Sequence, residues 1–249
     1  MRPRIALPMP HSTDCEYGER AIPHYERAVV IGGGEPVRID LNQSVTAIRN
    51  AAGSCDAVLL PGSNADVDPV KFGQQRSERT AAADGLREQA DFLLLEEAYA
   101  SRKPVLCICY GLQSLNVFCG GSLIQHIPDY LPPESRNKVN HEAGRKVAIA
   151  HSVQISDGSL LAGVMGNEKE RVQHGEIVVP VNSSHHQSAD AIGSGLRIVA
   201  RCPDDGIIEA LEGTSANHFV MAVQWHPERS VDDDDHSWGI FLALVNAIR

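Results

Sequence analysis

The sequence has no apolar run approaching the ~18–20 residues that span a bilayer, so no membrane partner is expected. It is also short of positive charge. Against 32 Asp+Glu there are 22 Lys+Arg, a formal net charge of −10. A nucleic-acid partner needs clustered Lys/Arg, and none is expected; the negative balance reads as solubility. Cysteine is sparse, with six in 249 residues at positions 15, 55, 107, 109, 119 and 202. That is too few for a disulfide scaffold of this length, and the Cys107-Ile108-Cys109 segment has no matching Cys/His pair at zinc-ligand spacing downstream. The N-terminus starts basic, but its apolar stretch is interrupted by prolines and runs into polar residues, a poor export signal. The expectation is a cytoplasmic protein with reduced thiols.

What is present fits an ordinary globular chain: 43% hydrophobic and 22% charged residues exclude wholesale disorder. Short apolar, β-branched runs alternate with longer helical patterns. Strands are expected at 4–7, 36–39, 56–60 and 104–108, and helices at 19–31, 44–52, 84–101 and 112–119. Strands that are apolar at every position suit a parallel sheet covered on both faces. From residue 150 strand-like runs dominate, at 153–155, 177–181, 196–201, 207–211 and 219–224, before a final helix over 236–248. The fold class read from this order is α/β, a mostly parallel central sheet flanked by helices with an additional small antiparallel portion in the second half. Residues 128–149 and 164–176 read as surface loops, and the whole chain, 1–249, as one domain.

Three segments could carry chemistry. In Val105–Gln113 a buried strand ends at Cys109 and a helix starts just after it, with Gly111 where the turn is tight. This is the strand–turn–helix logic of a nucleophile elbow, with Cys in place of Ser. The helix N-terminus would favour a thiolate, and the Tyr110 N–H would face an oxyanion. A buried structural cysteine is the competing reading of the same segment. In Phe219–Glu228 a strand ends in His226-Pro227-Glu228. If the segment stays extended, His226 and Glu228 face the same way, and a carboxylate beside an imidazole fixes its tautomer. Alone, the pair reads as a surface His beside a surface Glu; together with the elbow it reads as a triad. Leu59-Leu60-Pro61-Gly62-Ser63 is a strand-end turn able to present a second backbone N–H.

Pro61-Gly62-Ser63, Cys109-Tyr110-Gly111-Leu112-Gln113, Gly120-Gly121-Ser122, Asn182-Ser183-Ser184-His185-His186-Gln187 and Trp225-His226-Pro227-Glu228 together resemble class I glutamine amidotransferase-like proteins. Within them the likeness is to the gamma-glutamyl-gamma-aminobutyrate hydrolase family of cysteine peptidases, as is Asp84-Gly85-Leu86-Arg87-Glu88 ahead of the elbow. The resemblance implies a flavodoxin-like sheet with its active site at the carboxyl ends of the strands. It implies Cys109 as nucleophile, His226 as general base and acid, and Glu228 as the residue orienting it. Gly62 and Tyr110 correspond to the oxyanion-hole amides, and Ser63, Gln113, His186 and Gln187 to the substrate-binding positions around the glutamyl end. The implied partner is a small γ-glutamyl substrate, cleaved through a γ-glutamyl thioester with no metal or organic cofactor. Tyr110 stands where many members of the hydrolase branch have Arg, and 164–178 is longer than the usual link.

Two other functions fit the same residues: a glutaminase subunit supplying ammonia to a separate synthetase, and a non-enzymatic module on this scaffold. A homodimer is the base-rate expectation. Gly32-Gly33-Gly34 follows a helix and lacks dinucleotide spacing. His141, His151, His174, His185 and His186 invite a metal, but adjacent histidines on extended chain face opposite ways and rarely share an ion. The Asp232–Asp235 run is read as stabilising the last helix's N-terminus, and Cys107 and Cys119 as packed residues.

Overall fold

The computed structural model describes residues 1–166 and 177–248. Five parallel strands form one half of a nine-stranded sheet: β2 (Glu35–Ile39), β1 (Arg4–Pro8), β3 (Ala57–Leu60), β4 (Val105–Ile108) and β11 (Val220–Val223), in that order. Beyond β11 the sheet continues antiparallel through β10 (Ile208–Gly213), β9 (Leu196–Arg201), β6 (His151–Ile155) and β7 (Ile177–Val181). A separate antiparallel ribbon pairs β5 (Leu123–Ile124) with β8 (Ser188–Ala189). The mixed α/β architecture read from the sequence is therefore present, with the antiparallel part grown onto the same sheet.

Alternation along each strand sorts the helices to two faces. Ile5 and Leu7 of β1 point into a core shared with α1 (Cys15–Ile31), α6 (Leu160–Met165) and α7 (Asp235–Asn246). Ala6 points the other way, into a core shared with α2 (Val45–Gly53), α3 (Gly85–Ser101) and α4 (Tyr110–Phe118). β3 and β4 are buried at every position, as a strand covered on both faces must be.

Several boundaries moved for identifiable reasons. α1 begins four residues before the expected start, because the Asp14 side chain accepts from the Tyr17 N–H and caps it, and Pro23 is carried inside the helix. α4 begins at Tyr110 rather than Leu112, directly on the elbow. The segment 128–149 is mostly irregular, as expected, but opens in the one-turn helix α5 (Ile127–Tyr130). The segment 164–176 opens in the end of α6 and its cap Gly166, and 167–176 lie outside the described residues. Of the acidic run, Asp234 does cap α7, accepting from His236 and Ser237 N–H, whereas Asp232 pairs with Arg27 across to α1. Cys107 is buried in β4, but Cys119 is only partly covered and lies 3.4 Å from the Tyr99 hydroxyl. Among the described residues no helix is long and apolar enough to cross a membrane.

Candidate active site

β3, β4 and β11 are neighbours and run in the same direction. Adjacent strands lie about 4.8 Å apart, so the residues leaving their carboxyl ends arrive side by side. Those residues are Pro61-Gly62 after β3, Cys109 after β4 and the 224–228 segment after β11.

Cys109 has φ 53° and ψ −106°, a backbone conformation that side chains rarely adopt. Its N–H donates to the Val223 carbonyl at 2.8 Å, and its own carbonyl accepts from the Gln113 N–H at 3.2 Å. The chain thus leaves the sheet and closes a helical turn within one residue, and that needs the positive φ. Gly111 makes the turn possible, because a Cβ there would collide with the Leu60 carbonyl oxygen and Cβ. The first amides of α4 have no intrahelical acceptor and point out of the helix N-terminus beside the sulfur. Cys109 is buried, with 5% of its surface exposed.

His226 meets Glu228 as expected, but by a different route. The chain does not stay extended; it enters a 3₁₀ turn over Pro227–Arg229. Within that turn His226 Nδ1 donates to Glu228 Oε1 at 2.8 Å, and both side chains are buried. Burial works against the imidazolium, but the Glu228 charge and the Cys109 sulfur outweigh it and push the His226 pKa up to about 9. Burial likewise opposes the Glu228 charge, and the facing His226 holds its carboxyl below the usual range. Asn182 anchors the backbone of this histidine twice: the His226 N–H donates to Asn182 Oδ1 at 3.0 Å, and Asn182 Nδ2 donates to the His226 carbonyl at 2.9 Å.

Gly62 sits between the two reactive groups. A Cβ there would lie 3.0 Å from His226 Cε1 and 2.9 Å from the Tyr25 hydroxyl, so a side chain would displace one or the other. Its N–H, expected as an oxyanion donor, donates in this structure to the Tyr25 hydroxyl at 3.0 Å. An incoming carbonyl oxygen therefore has to share or replace that phenol. The turn is held from below by Arg87, which is fully buried on α3. Arg87 donates to the carbonyls of Pro10 (3.0 Å), Pro61 (2.5 Å) and Gly62 (3.4 Å), pairs with Asp91 at 2.7 Å, and lies 4.8 Å from the Tyr110 ring centroid. Asp84 caps α3 through the Leu86 and Arg87 N–H groups and also binds Ser12, while Glu88 accepts from the Asp68 N–H. The Asp84–Glu88 motif is thus the underside of the Pro61-Gly62 turn.

The expected substrate-binding residues lie around this centre, but several side chains are engaged internally. Gln113 Nε2 donates to the Gln187 carbonyl at 3.2 Å and to Gln224 Oε1 at 3.4 Å, leaving its Oε1 as the free end. Gln187 Nε2 donates to the Gln125 carbonyl at 3.1 Å, and Ser63 Oγ accepts from the Ala65 N–H. His186 Nε2 meets Asp66 Oδ1 at 2.9 Å, and the Asp66 contact raises its pKa against the opposing effect of burial. Tyr25, Arg87 and Asn182 were not expected as parts of the site. Their roles depend on hydrogen bonds to remote backbone, which leave no local pattern, although Asn182 and Arg87 do lie in the motifs quoted above.

The peptidase C26 family profile matches residues 8–228. A glutamine amidotransferase-like protein of Rickettsia prowazekii is 30% identical over 258 residues, covering 90% of this chain and 87% of its own. The gamma-glutamyl-gamma-aminobutyrate hydrolase PuuD of Escherichia coli K12 is 32% identical over 228 residues, covering 90% of this chain and 84% of its own. The glutaminase domain of Trypanosoma brucei CTPS, solved with bound acivicin, superposes with a TM-score of 0.61 at 16% identity, over 99% of this chain and 93% of that one.

Proposed function

This chain belongs to the peptidase C26 family and is a glutamine amidotransferase-like hydrolase, and on that premise we propose that it cleaves γ-glutamyl amide bonds to glutamate and an amine. The observation that carries the reading is the convergence at the carboxyl ends of neighbouring strands of a cysteine on a strained elbow and a buried His–Glu pair. A structural cysteine has no need of a positive φ, a helix N-terminus or a charged imidazole beside it.

The chemistry follows from the groups. The Cys109 sulfur, paired with His226, attacks the γ-carbonyl. The Tyr110 N–H and, once it exchanges the Tyr25 hydroxyl for substrate, the Gly62 N–H stabilise the oxyanion, each contact being worth roughly 3–4 kcal/mol. His226 gives its proton to the departing amine, which leaves a γ-glutamyl thioester on Cys109. Water deprotonated by the same imidazole then releases glutamate and restores the thiol. In this reading Gln113 Oε1 accepts from the substrate's α-ammonium group. His186 and Gln187 close over the same end through their backbone, and Ser63 flanks the oxyanion turn.

The assignment of roles fixes the pH behaviour. His226 must carry a proton to expel the amine, so kcat/KM falls on the alkaline side with a midpoint of about 9. Glu228→Gln removes the larger of the two influences that raise the imidazole and leaves burial opposed only by the Cys109 sulfur, so this limb moves to lower pH. A limb unmoved in Glu228→Gln would take the orienting role away from Glu228. The stability linkage has two signs. The raised His226 pKa contributes stability below its ordinary value of about 6.5, and this is lost as pH rises through about 9. The depressed Glu228 pKa contributes stability above the ordinary carboxylate range, and this is lost in acid.

The purified protein alone, offered γ-glutamyl-γ-aminobutyrate, other γ-glutamyl amines and peptides, and glutamine, is expected to release glutamate from the γ-glutamyl amines faster than from glutamine. The order of rates names the leaving amine. Turnover of glutamine alone, and only in the presence of a separate ATP-using protein, would replace this reading with an ammonia-supplying subunit.

A further inference from the structure

Away from the thiol, a second group of chemically capable side chains converges. His141 lies between α5 and β6, His151 opens β6, His185 lies between β7 and β8, and Glu209 sits in β10. One donor atom from each lies within 4.8 Å of the others, and all four residues are buried. Glu209 Oε1 is 3.3 Å from His141 Nδ1, 3.5 Å from His151 Nε2 and 3.6 Å from His185 Nε2. None of these atoms makes a hydrogen bond among the described residues, and the second Glu209 oxygen is unpartnered as well.

The other ring nitrogens decide what these atoms are. His141 Nε2 meets Asp205 Oδ2 at 2.9 Å, His151 Nδ1 meets the Ser152 carbonyl at 3.1 Å, and His185 Nδ1 meets the Gln187 carbonyl at 3.0 Å. Each partner only accepts, so each outward nitrogen carries the N–H. In the neutral imidazoles the three inward nitrogens then present lone pairs, and they present them to a carboxylate. Four acceptors facing one another repel unless a positive charge sits among them, and two kinds fit: a divalent ion at the centre, or a proton on His141 Nδ1, because against burial the contacts with Asp205 and Glu209 push the His141 pKa up to about 9. Fixing the far nitrogen on a carboxylate or carbonyl is also how metal-bound histidines are oriented.

The spacing agrees with a particular class of ion. Ligands about 2.0–2.1 Å from zinc at tetrahedral angles lie about 3.3 Å apart, close to the separations from Glu209. Charge agrees too, since one divalent ion is neutralised by Glu209 and the outer Asp205. The expectation that adjacent histidines face apart is met, as His186 turns to Asp66 while His185 turns inward. It is the long-range partners of His185 that the sequence does not display. A cavity of about 300 Å³ bordered by Arg136, Asn140, His141, Glu142 and His185 lies against two of the four residues. On its far side His141 also approaches Cys202 and Asp205, but there its nitrogen is already bonded to Asp205 and only three donors gather.

We propose that His141 Nδ1, His151 Nε2, His185 Nε2 and Glu209 Oε1 bind one structural divalent ion of the zinc class. With four protein ligands the site is closed, so the ion takes no part in the chemistry at Cys109. It fastens the 131–150 segment and the 182–187 segment to β10. The second of these carries Asn182, the anchor of His226, and is already tied to the first by the His185 N–H donating to the His141 carbonyl at 2.9 Å.

The test is metal content and melting of the full chain, made without a polyhistidine tag in zinc-supplemented cells and dialysed. Elemental analysis is expected to give about one zinc per chain, the stoichiometry of a closed site. Chelation lowers the melting temperature and added zinc restores it. Cobalt loaded in place of zinc gives the intense visible bands of a tetrahedral site. Glu209→Gln abolishes retention. Should that variant fail to fold, Asp205→Asn leaves all four ligands in place and weakens binding about 10–100-fold. A metal content below about a tenth of an ion per chain, with melting insensitive to chelator and cobalt remaining spectroscopically aqueous, overturns the proposal and leaves a proton between His141 and Glu209. So does zinc retained equally by the wild type and both variants.

Discussion

Cys109→Ala is expected to lower kcat/KM by at least about 10⁴-fold while leaving the melting temperature within a few degrees of the wild type. The size follows from the role: removing the nucleophile of a serine protease costs about 10⁶ in kcat, because the base then has no group to activate and only the oxyanion donors and substrate binding still act. The stability expectation follows from the backbone. Alanine keeps the Cβ, so the strain at φ 53° is unchanged, and only one buried sulfur is lost. The Val223 and Gln113 hydrogen bonds of residue 109 are backbone bonds and survive. A variant with wild-type turnover would remove Cys109 from the reaction. A variant that unfolds would show that the sulfur holds the elbow, and Cys109→Ser would then have to separate the two roles.

Arg87→Met is the substitution with the largest expected effect on stability. Removing one member of a buried ion pair leaves the other charge uncompensated, at a cost of about 3–5 kcal/mol. Here the orphan is Asp91, fully buried, and the carbonyls of Pro10 and Pro61 lose their donor as well. For a chain of this size that corresponds to a fall of about 6–20 °C in melting temperature. Lysine does not rescue it, because one ammonium cannot reach the positions that the guanidinium fork bonds. The double substitution Arg87→Met with Asp91→Leu removes the orphan charge and recovers part of the stability. Activity does not recover with it, since the Pro61-Gly62 turn and the Tyr110 ring still lack their support. Equal recovery of both would confine Arg87 to the core.

Local pattern carried the sheet and the ends of its strands. β3 and β4 are apolar at every position and end in Pro-Gly and Cys-Tyr-Gly, so the elbow and its glycine turn stood out. What local pattern cannot carry is closure over distance. Tyr25 reads as one apolar position of α1, yet its hydroxyl reaches the Gly62 N–H. Arg87 stands in the Asp84–Glu88 motif, but nothing local shows that three backbone carbonyls and Asp91 surround it in the interior. β5, β8 and α6 are too short to show a period. His141, His151, His185 and Glu209 belong to four separate segments, and the sheet's antiparallel half brings them together. The His226–Glu228 contact was legible, but not its geometry: a 3₁₀ turn achieves what an extended chain was expected to do.

The most direct measurement is mass spectrometry of the protein quenched during turnover of γ-glutamyl-γ-aminobutyrate. The account predicts one γ-glutamyl group attached to the peptide that contains Cys109, labile to hydroxylamine as a thioester is and absent from Cys109→Ala. Glutamate release without an adduct at Cys109, or with the adduct on another residue, would contradict it.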